Sequence, residues 1–104
     1  MFNFKKQQLN LPPIAKEKGS QEILRVWSGT NLPVEVVIET FWADPGNWGI
    51  ALVDIARHLA KAYVARGIKT TREEVLSEAD VLARIRELFD AEWSSPTDTP
   101  KQLQ

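Results

Sequence analysis

Asp54 and His58 are the residues of this 104-residue chain whose types and spacing come nearest to acid–base chemistry. They are four positions apart, so on a helix they share one face, where a carboxylate can set the tautomer of an imidazole and raise its basicity. An ordinary helical side-chain pair explains the same spacing, and the sequence shows no nucleophile or oxyanion site beside them. A small acid–base enzyme using Asp54 and His58 is therefore an alternative hypothesis.

Neither a metal nor a cofactor is expected. Metal sites usually need three or more converging ligands, and the sequence offers no obvious third partner for Asp54 and His58. The chain has no cysteine, which excludes disulfides and thiolate ligands. Residues 45–49 contain two glycines but lack the spacing and the lysine of a phosphate-binding loop.

The tryptophans are the other candidates for a binding role. Trp27 lies in a predicted strand, and Trp42 and Trp48 flank a corner at Asp44 and Pro45. Large rings with one N–H donor often anchor interfaces, although core packing explains most tryptophans of a small domain. A pocket lined by Trp27, Trp42 and Trp48 would make the protein a small-ligand sensor, which is a second alternative.

Two strands are predicted before this corner. Residues 23–27 are rich in branched and aromatic types, and residues 34–40 alternate apolar with acidic side chains. That alternation is typical of a strand with one buried face. A short connector containing Gly29 joins the two segments, which favours an antiparallel hairpin.

The first predicted helix is the clearest element. Asp44 and Pro45 are typical of a helix start, and Gly67 is typical of a left-handed helix end. Between them, apolar side chains recur at steps of four and three residues, as on a buried helical face: Trp48, Leu52, Ile55, Leu59 and Ala62. Further apolar residues widen this stripe on both sides, so the helix is more apolar than one sheet face and one neighbouring helix require.

A second helix is predicted over residues 78–93, after a helical turn near residues 72–76. Ser77 and Asp80 have the spacing of a capping box. The predicted core stripe consists of Leu82, Ile85, Phe89 and Trp93. Residues 72–92 carry seven acids against three bases, whereas residues 1–19 carry four lysines against one glutamate.

These elements fit one α+β domain, since single domains commonly have about 100–150 residues. We predict an N-terminal antiparallel β-hairpin packed with two helices over residues 20–93. Residues 1–19 are predicted to be an extended arm, because Pro12 and Pro13 interrupt regular structure. Residues 94–104 are predicted to be a flexible tail.

Charge and hydropathy exclude several classes of protein. A formal net charge of −1 supplies no basic surface for nucleic acid. Apolar runs are interrupted by Asp54 and Arg57 well before the roughly 18 residues that a membrane span needs, and the N-terminus lacks the apolar region of a signal peptide. Together with the absence of cysteine, these features favour the cytoplasm.

Residues 42–60 carry the pattern W-A-D-P-x-x-W-G-x-x-L-x-D-x-A-R-H-x-A. With residues 82–98, this pattern resembles a family of small, mainly proteobacterial proteins that is classed as a domain of unknown function. The resemblance covers roughly residues 20–98. It implies a bacterial source, and it implies no activity, substrate or catalytic residue.

The spare apolar surface suggests association. A two-stranded hairpin is marginal in water and leaves open edges, and the first helix is too apolar for its own chain to cover. A two-fold dimer would solve both problems. The leading hypothesis is a small, non-catalytic, homodimeric module of the bacterial cytoplasm that binds another protein or a peptide.

Overall fold

The computed structural model describes residues 8–31, 34–70 and 72–97 and the backbone of residues 101–102. The elements in chain order are a 3-10 turn at Pro13–Lys16, β1 at Leu24–Ser28, β2 at Val34–Ile38, α1 at Gly46–Ala65, α2 at Glu78–Ser94 and β3 at Lys101–Gln102. The predicted α+β class, with its antiparallel hairpin and two helices, is confirmed. Of the described helices, none has the length and apolarity needed to cross a bilayer.

The hairpin has one apolar face. β1 and β2 pair antiparallel, with Leu24 opposite Ile38 and Val26 opposite Val36. Because residues directly opposite each other share a face, one side of the ribbon is entirely apolar apart from Ser28. This hairpin face consists of Leu24, Val26, Val34, Val36 and Ile38. The residues of the hairpin face that belong to β2 are half-buried, and the β2 residues between them are exposed, as the alternation in the sequence predicts.

A third strand lies within the segment predicted to be a flexible tail. β3 pairs parallel with β2, giving the strand order β1-β2-β3. The sequence did not predict this strand, since two residues are too few to show a period. In the described part of the chain the outer edge of β1 remains unpaired. Residues 8–19 of the predicted arm are all exposed, and residues 1–7 lie outside the described residues.

The start of α1 depends on Asp44. Its Oδ1 accepts a hydrogen bond from the Gly46 N–H at 2.8 Å, so the side chain satisfies a first-turn donor that has no partner within the helix. Pro45 occupies the N-cap position of α1, whereas the sequence predicted that it is the first residue of the helix. This turn fixes the direction in which the chain enters the helix.

The end of α1 depends on Gly67. Gly67 has φ 62°, the left-handed conformation that glycine adopts without steric cost. Its N–H donates to the Val64 carbonyl at 3.0 Å, and the Ile68 N–H donates to the Tyr63 carbonyl at 3.1 Å. These two bonds form a Schellman motif, which stops the helix and turns the chain back toward α2.

The helical turn predicted at residues 72–76 is wrong. Lys69 and Val75 instead form an antiparallel bridge around a tight turn. Thr70 Oγ1 accepts from the Glu74 N–H at 3.2 Å, and the Thr70 N–H donates to the Glu74 carbonyl at 3.0 Å. The threonine hydroxyl thus takes a donor that a helical turn would have used, which is how such side chains compete with helix formation.

The predicted capping box at the start of α2 is confirmed. Asp80 N–H donates to Ser77 Oγ, and Ser77 N–H donates to Asp80 Oδ2, each at 3.1 Å. The hydrogen bond from the Ser77 N–H holds the pKa of the Asp80 carboxyl below its ordinary value, and the Ser77 side chain makes a smaller contribution in the same direction. The cause is that hydrogen bonds to the charged carboxylate favour that form.

The two helices pack against each other with little buried apolar surface. Among the described residues, Ala60 of α1 and Val81 of α2 are the only buried apolar ones, at 0% and 6% exposure. Leu82 and Ile85 are half-buried. The contact between α1 and α2 therefore forms a narrow seam rather than a full core.

The hairpin and the helix pair lie apart, so the packing of one on the other that the sequence indicated is not found within one chain. No Cα of β1 or β2 comes within 8 Å of a Cα in the described helices. The radius of gyration is 16.2 Å, against about 13 Å for a compact domain of this length. The accessible surface is 9623 Å², against about 5,900 Å² for a compact monomer of this mass.

The lowered pKa of Asp80 predicts how stability depends on pH. A carboxyl whose pKa is lower in the folded than in the unfolded chain stabilises the fold at pH values above its pKa in the unfolded chain, which is about 4. That contribution is lost as the pH falls through the pKa of the folded chain. In Asp80→Asn the amide oxygen can still accept from Ser77 but cannot titrate. We expect the stability difference between wild type and Asp80→Asn to shrink as the pH falls from about 7 to about 3.

Urea unfolding at fixed protein concentration measures this difference. The variant Asp90→Asn is the control, since Asp90 pairs with Arg86 in the middle of the same helix and takes no part in its cap. A difference for Asp80→Asn that stays constant over the whole pH range would contradict the prediction.

Candidate functional site

Asp54 and His58 lie on one face of α1, as predicted, but the hydrogen bond between them does not involve the carboxylate. His58 Nδ1 lies 2.7 Å from the backbone carbonyl oxygen of Asp54. A carbonyl oxygen only accepts, so Nδ1 carries the hydrogen and Nε2 is the acceptor of the neutral ring. Both residues are exposed. The bond orients the imidazole without placing a charge against it.

The surroundings of His58 supply little for catalysis. Within the part of the chain that the structure describes, no three His, Asp or Glu side chains converge to hold a metal ion. A general base also needs a site where a substrate can sit against it, and His58 lines neither the depression at residues 21–25 and 37–39 nor the one beside Trp42. The arrangement is that of a helical side chain bonded to its own helix.

Three aromatic rings meet at the corner between β2 and α1. Trp42 contacts Phe41 at a centroid distance of 5.7 Å and Trp48 at 5.2 Å, both edge to face. Edge-to-face contact is a preferred geometry for such rings. Trp42 and Trp48 are half-buried. This corner cluster (Phe41, Trp42 and Trp48) braces the connector against the first turn of α1.

A shallow depression of about 240 Å³ lies beside the corner cluster, lined by Trp42, Asn47, Ile50, Ala51 and Asp54. Binding pockets for small molecules have about 300–1,000 Å³ and enclose most of the ligand. Trp48 packs behind Trp42 and does not line this depression. The site is smaller and more open than a metabolite pocket.

Trp27 is separate from the other two tryptophans. It lies on β1 opposite Glu35, on the side of the ribbon away from the hairpin face, and it is 38% exposed. Among the described residues, no ring contact includes Trp27. The structure therefore brings together Trp42 and Trp48 and leaves Trp27 elsewhere.

One apolar surface of the helix pair that the described chain leaves partly uncovered follows the predicted apolar stripe of α1. Its large side chains remain partly open to solvent: Leu52 is 44% exposed, Ile55 44%, Leu59 43% and Tyr63 39%. Successive helical residues project about 100° apart, so the seam with α2 at Ala60 occupies the neighbouring face. These four large residues form what we call the open stripe.

A second apolar surface lies at the end of α2 and consists of Leu88, Phe89 and Trp93, which we call the α2 end. The rings of Phe89 and Trp93 stack at 5.5 Å, and Trp93 is 77% exposed. The sequence assigned Phe89 and Trp93 to the core, because periodicity identifies an apolar face without showing what covers it. The break at Ser95 and Pro96 was the available signal that α2 ends just after Trp93.

Comparison with known proteins identifies one family model and similar solved structures. The model, described as a domain of unknown function (DUF5076), matches residues 8–97. One solved structure, described as that of a "putative pyruvate dehydrogenase from the photosynthetic bacterium Rhodopseudomonas palustrus CGA009", is 33% identical with a TM-score of 0.70, and the match covers 96% of each chain. No curated protein is significantly similar. The resemblance to a domain-of-unknown-function family is thereby confirmed.

The backbone partner of His58 predicts a tautomer that does not depend on the Asp54 carboxylate. We expect neutral His58 to carry its hydrogen on Nδ1 in both wild type and Asp54→Asn, because the accepting carbonyl is present in both. Long-range ¹⁵N–¹H NMR of the imidazole measures this directly, since the chain has one histidine. The same ring in urea-unfolded protein is the reference. A switch to the Nε2–H tautomer in Asp54→Asn would show that the carboxylate controls the ring.

Proposed function

The chain belongs to the DUF5076 domain-of-unknown-function family, and from that premise we propose that it is a small, non-catalytic, homodimeric protein-interaction module of the bacterial cytoplasm. The observation that carries the proposal is burial: within the described residues of one chain, Ala60 and Val81 are the only buried apolar side chains. A compact domain of this length hides roughly two-thirds of its unfolded surface. The bacterial source of the solved relative supports a bacterial origin, and the absence of cysteine supports the cytoplasm as the location.

The open stripe supplies the driving force for association. Full burial of a Leu, Ile or Phe side chain is worth about 1.5–3 kcal/mol. Side chains exposed by about two-fifths, such as Leu52, Ile55 and Leu59, therefore leave roughly 1 kcal/mol each to be gained. The hairpin face adds Val26, which is 51% exposed. A second copy that covers these side chains would gain that free energy.

A second copy of the chain is the simplest partner for the open stripe and the hairpin face, because it carries the same apolar surfaces. Two-fold association presents the same patches to each other and closes without further growth. The net charge of −1 produces little repulsion between copies. The basic residues 1–19 and the acidic residues 72–92 also have opposite charges, although exposed ion pairs contribute little each.

The α2 end is the surface that we assign to a further protein or peptide partner. Trp93 is the most exposed large aromatic side chain in the described chain, and its ring is held against Phe89. Tryptophan is enriched among the residues that carry binding energy in interfaces. A pre-ordered, exposed pair of rings loses little conformational freedom when a partner binds.

The two alternatives have weaker support. The acid–base hypothesis needs a substrate site at His58, which instead bonds a backbone carbonyl on an exposed helix face. The ligand-sensor hypothesis needs Trp27 near Trp42 and Trp48, and among the described residues Trp27 makes no ring contact with either of them. The name of the solved relative denotes an enzyme, and we propose no enzymatic step for this chain because its described residues offer no catalytic group in a site.

The dimer is tested by placing a charge in the open stripe. We expect wild type to sediment as a dimer at micromolar concentration and Leu59→Asp to sediment as a monomer or to unfold, because a carboxylate cannot be buried there unpaired. Lys61→Asp introduces the same side chain on the polar face of α1 and should leave the dimer intact. Sedimentation equilibrium with circular dichroism measures both properties.

A wild-type protein that sediments as a folded monomer at these concentrations would overturn the dimer. So would a Leu59→Asp variant that remains a dimer with unchanged thermal stability, because the open stripe would then lie outside the interface.

The partner surface is tested at the α2 end. We expect Trp93→Ala to remain dimeric and to lose the stoichiometric partners that wild type captures from a bacterial lysate under mild conditions, because removal of a central aromatic anchor costs about 2 kcal/mol or more. Arg84→Ala, on an exposed part of the same helix, is the matched control. Retention of the same partners by Trp93→Ala would exclude this surface, and a monomeric Trp93→Ala would assign Trp93 to the dimer interface.

A further inference from the structure

We propose that two copies of this chain exchange their hairpins, so that the hairpin face of each copy covers the open stripe on α1 of the other. This inference rests on the proposed homodimer and specifies how its core is assembled. Each copy would then be incomplete alone, and residues of both chains would form each hydrophobic core.

The first observation is that one chain carries two apolar faces that do not meet. The hairpin face runs along β1 and β2, and the open stripe runs along α1. In the described structure no Cα of either strand lies within 8 Å of a Cα in a helix. A two-stranded ribbon needs a partner that covers its apolar face, and its own helices do not provide one.

The second observation is that the connector holds the hairpin away from its own α1. At one end the Glu39 N–H donates to the Ile23 carbonyl at 3.0 Å, which extends the ladder beyond β2. At the other end Asp44 fixes the entry to α1 through its bond with the Gly46 N–H. The corner cluster packs between these two points. A connector anchored at both ends is poorly suited to fold the hairpin back onto the same chain.

The third observation is that the two faces match in length. Strands of five residues extend for about 17 Å at 3.3–3.4 Å per residue. From Leu52 to Tyr63 the open stripe rises about 17 Å at 1.5 Å per residue. A five-residue ribbon therefore covers the stripe from its first to its last large side chain.

The fourth observation is the amount of surface involved. The chain exposes 9623 Å², which exceeds the value for a compact monomer of this mass by about 3,700 Å². Obligate dimers bury about 2,000–5,000 Å² in total, with interfaces that resemble a divided core. Exposed residues 8–19 account for part of the excess, and the partly exposed side chains of the open stripe and of the hairpin face account for another part.

A rival arrangement pairs the free edges of β1 from two copies into one continuous sheet. Such pairing satisfies backbone groups of β1, but it leaves the hairpin face and the open stripe uncovered. Exchange covers both of these apolar faces at once. We therefore favour exchange, and edge pairing becomes an outcome of the test.

The test uses the absence of cysteine from the chain, so that introduced thiols are the only ones. Val26→Cys, on the hairpin face, and Ile55→Cys, on the open stripe, are produced with different tags and refolded together. A short bismaleimide should join them into a mixed crosslinked dimer. Arg25→Cys replaces Val26→Cys as the control and should give about tenfold less product, because adjacent strand residues point to opposite faces.

Each result bears on the proposal. Mixed crosslinking of Val26→Cys with Ile55→Cys supports exchange. A chain that carries both Val26→Cys and Ile55→Cys is the companion sample, and if it remains dimeric but crosslinks only within itself, exchange is overturned and the homodimer stays in place. Crosslinking of Val26→Cys to itself without any mixed product overturns exchange in favour of edge pairing.

Two further results separate this proposal from the homodimer itself. A folded monomer in sedimentation overturns both proposals. If either variant fails to fold, Val36→Cys with Leu52→Cys repeats the experiment on the same two faces, with Glu35→Cys as the control. Absence of mixed product in that dimeric pair overturns exchange.

Discussion

The structure depends on one constraint, which is that α1 is apolar over more of its circumference than α2 can cover. Helices approach each other closely only where side chains are small, and the buried residue of α1 is Ala60. Leu52, Ile55, Leu59 and Tyr63 remain partly exposed and form the open stripe. In the proposed exchange, the ribbon of a second copy covers this stripe with the apolar face that its own chain leaves open.

The connector between β2 and α1 explains why the chain is less compact than a globular domain of its length. The corner cluster and the Asp44 turn make the connector between β2 and α1 a braced link, so the direction of the hairpin is set locally. Burial of the hairpin face would favour its return to α1, but rotation of the link would break the contacts of Trp42 with Phe41 and Trp48. In the proposed dimer, a second copy would cover the apolar faces without that cost. The local contacts of the connector are therefore the reason why we propose that the core is completed between chains.

Most of the local structure could be predicted from the sequence, because the signals were themselves local. Asp44 and Gly67 mark the ends of α1, and Ser77 with Asp80 marks the start of α2. The turn at Thr70 was missed, since a hydroxyl that competes for backbone donors looks the same in sequence as a helix cap. β3 was missed because two residues show no period. For the candidate site, the sequence identified Trp42 and Trp48 but could not separate Trp27 from them, since their distances depend on the direction of the connector.

The polar side of α1 gives the last step of the argument. If both apolar faces are covered in a dimer, the surface that stays in water includes the edge with Asp54, His58 and Lys61, together with the α2 end. Along this polar edge, the His58 ring bonds the backbone carbonyl of Asp54 in its own helix. The α2 end is different, because Trp93 is large, apolar and exposed at the last turn of a helix. An exposed apolar surface of this kind often marks a site where another protein binds. We therefore propose that a partner is recognised at the α2 end rather than at Asp54 and His58.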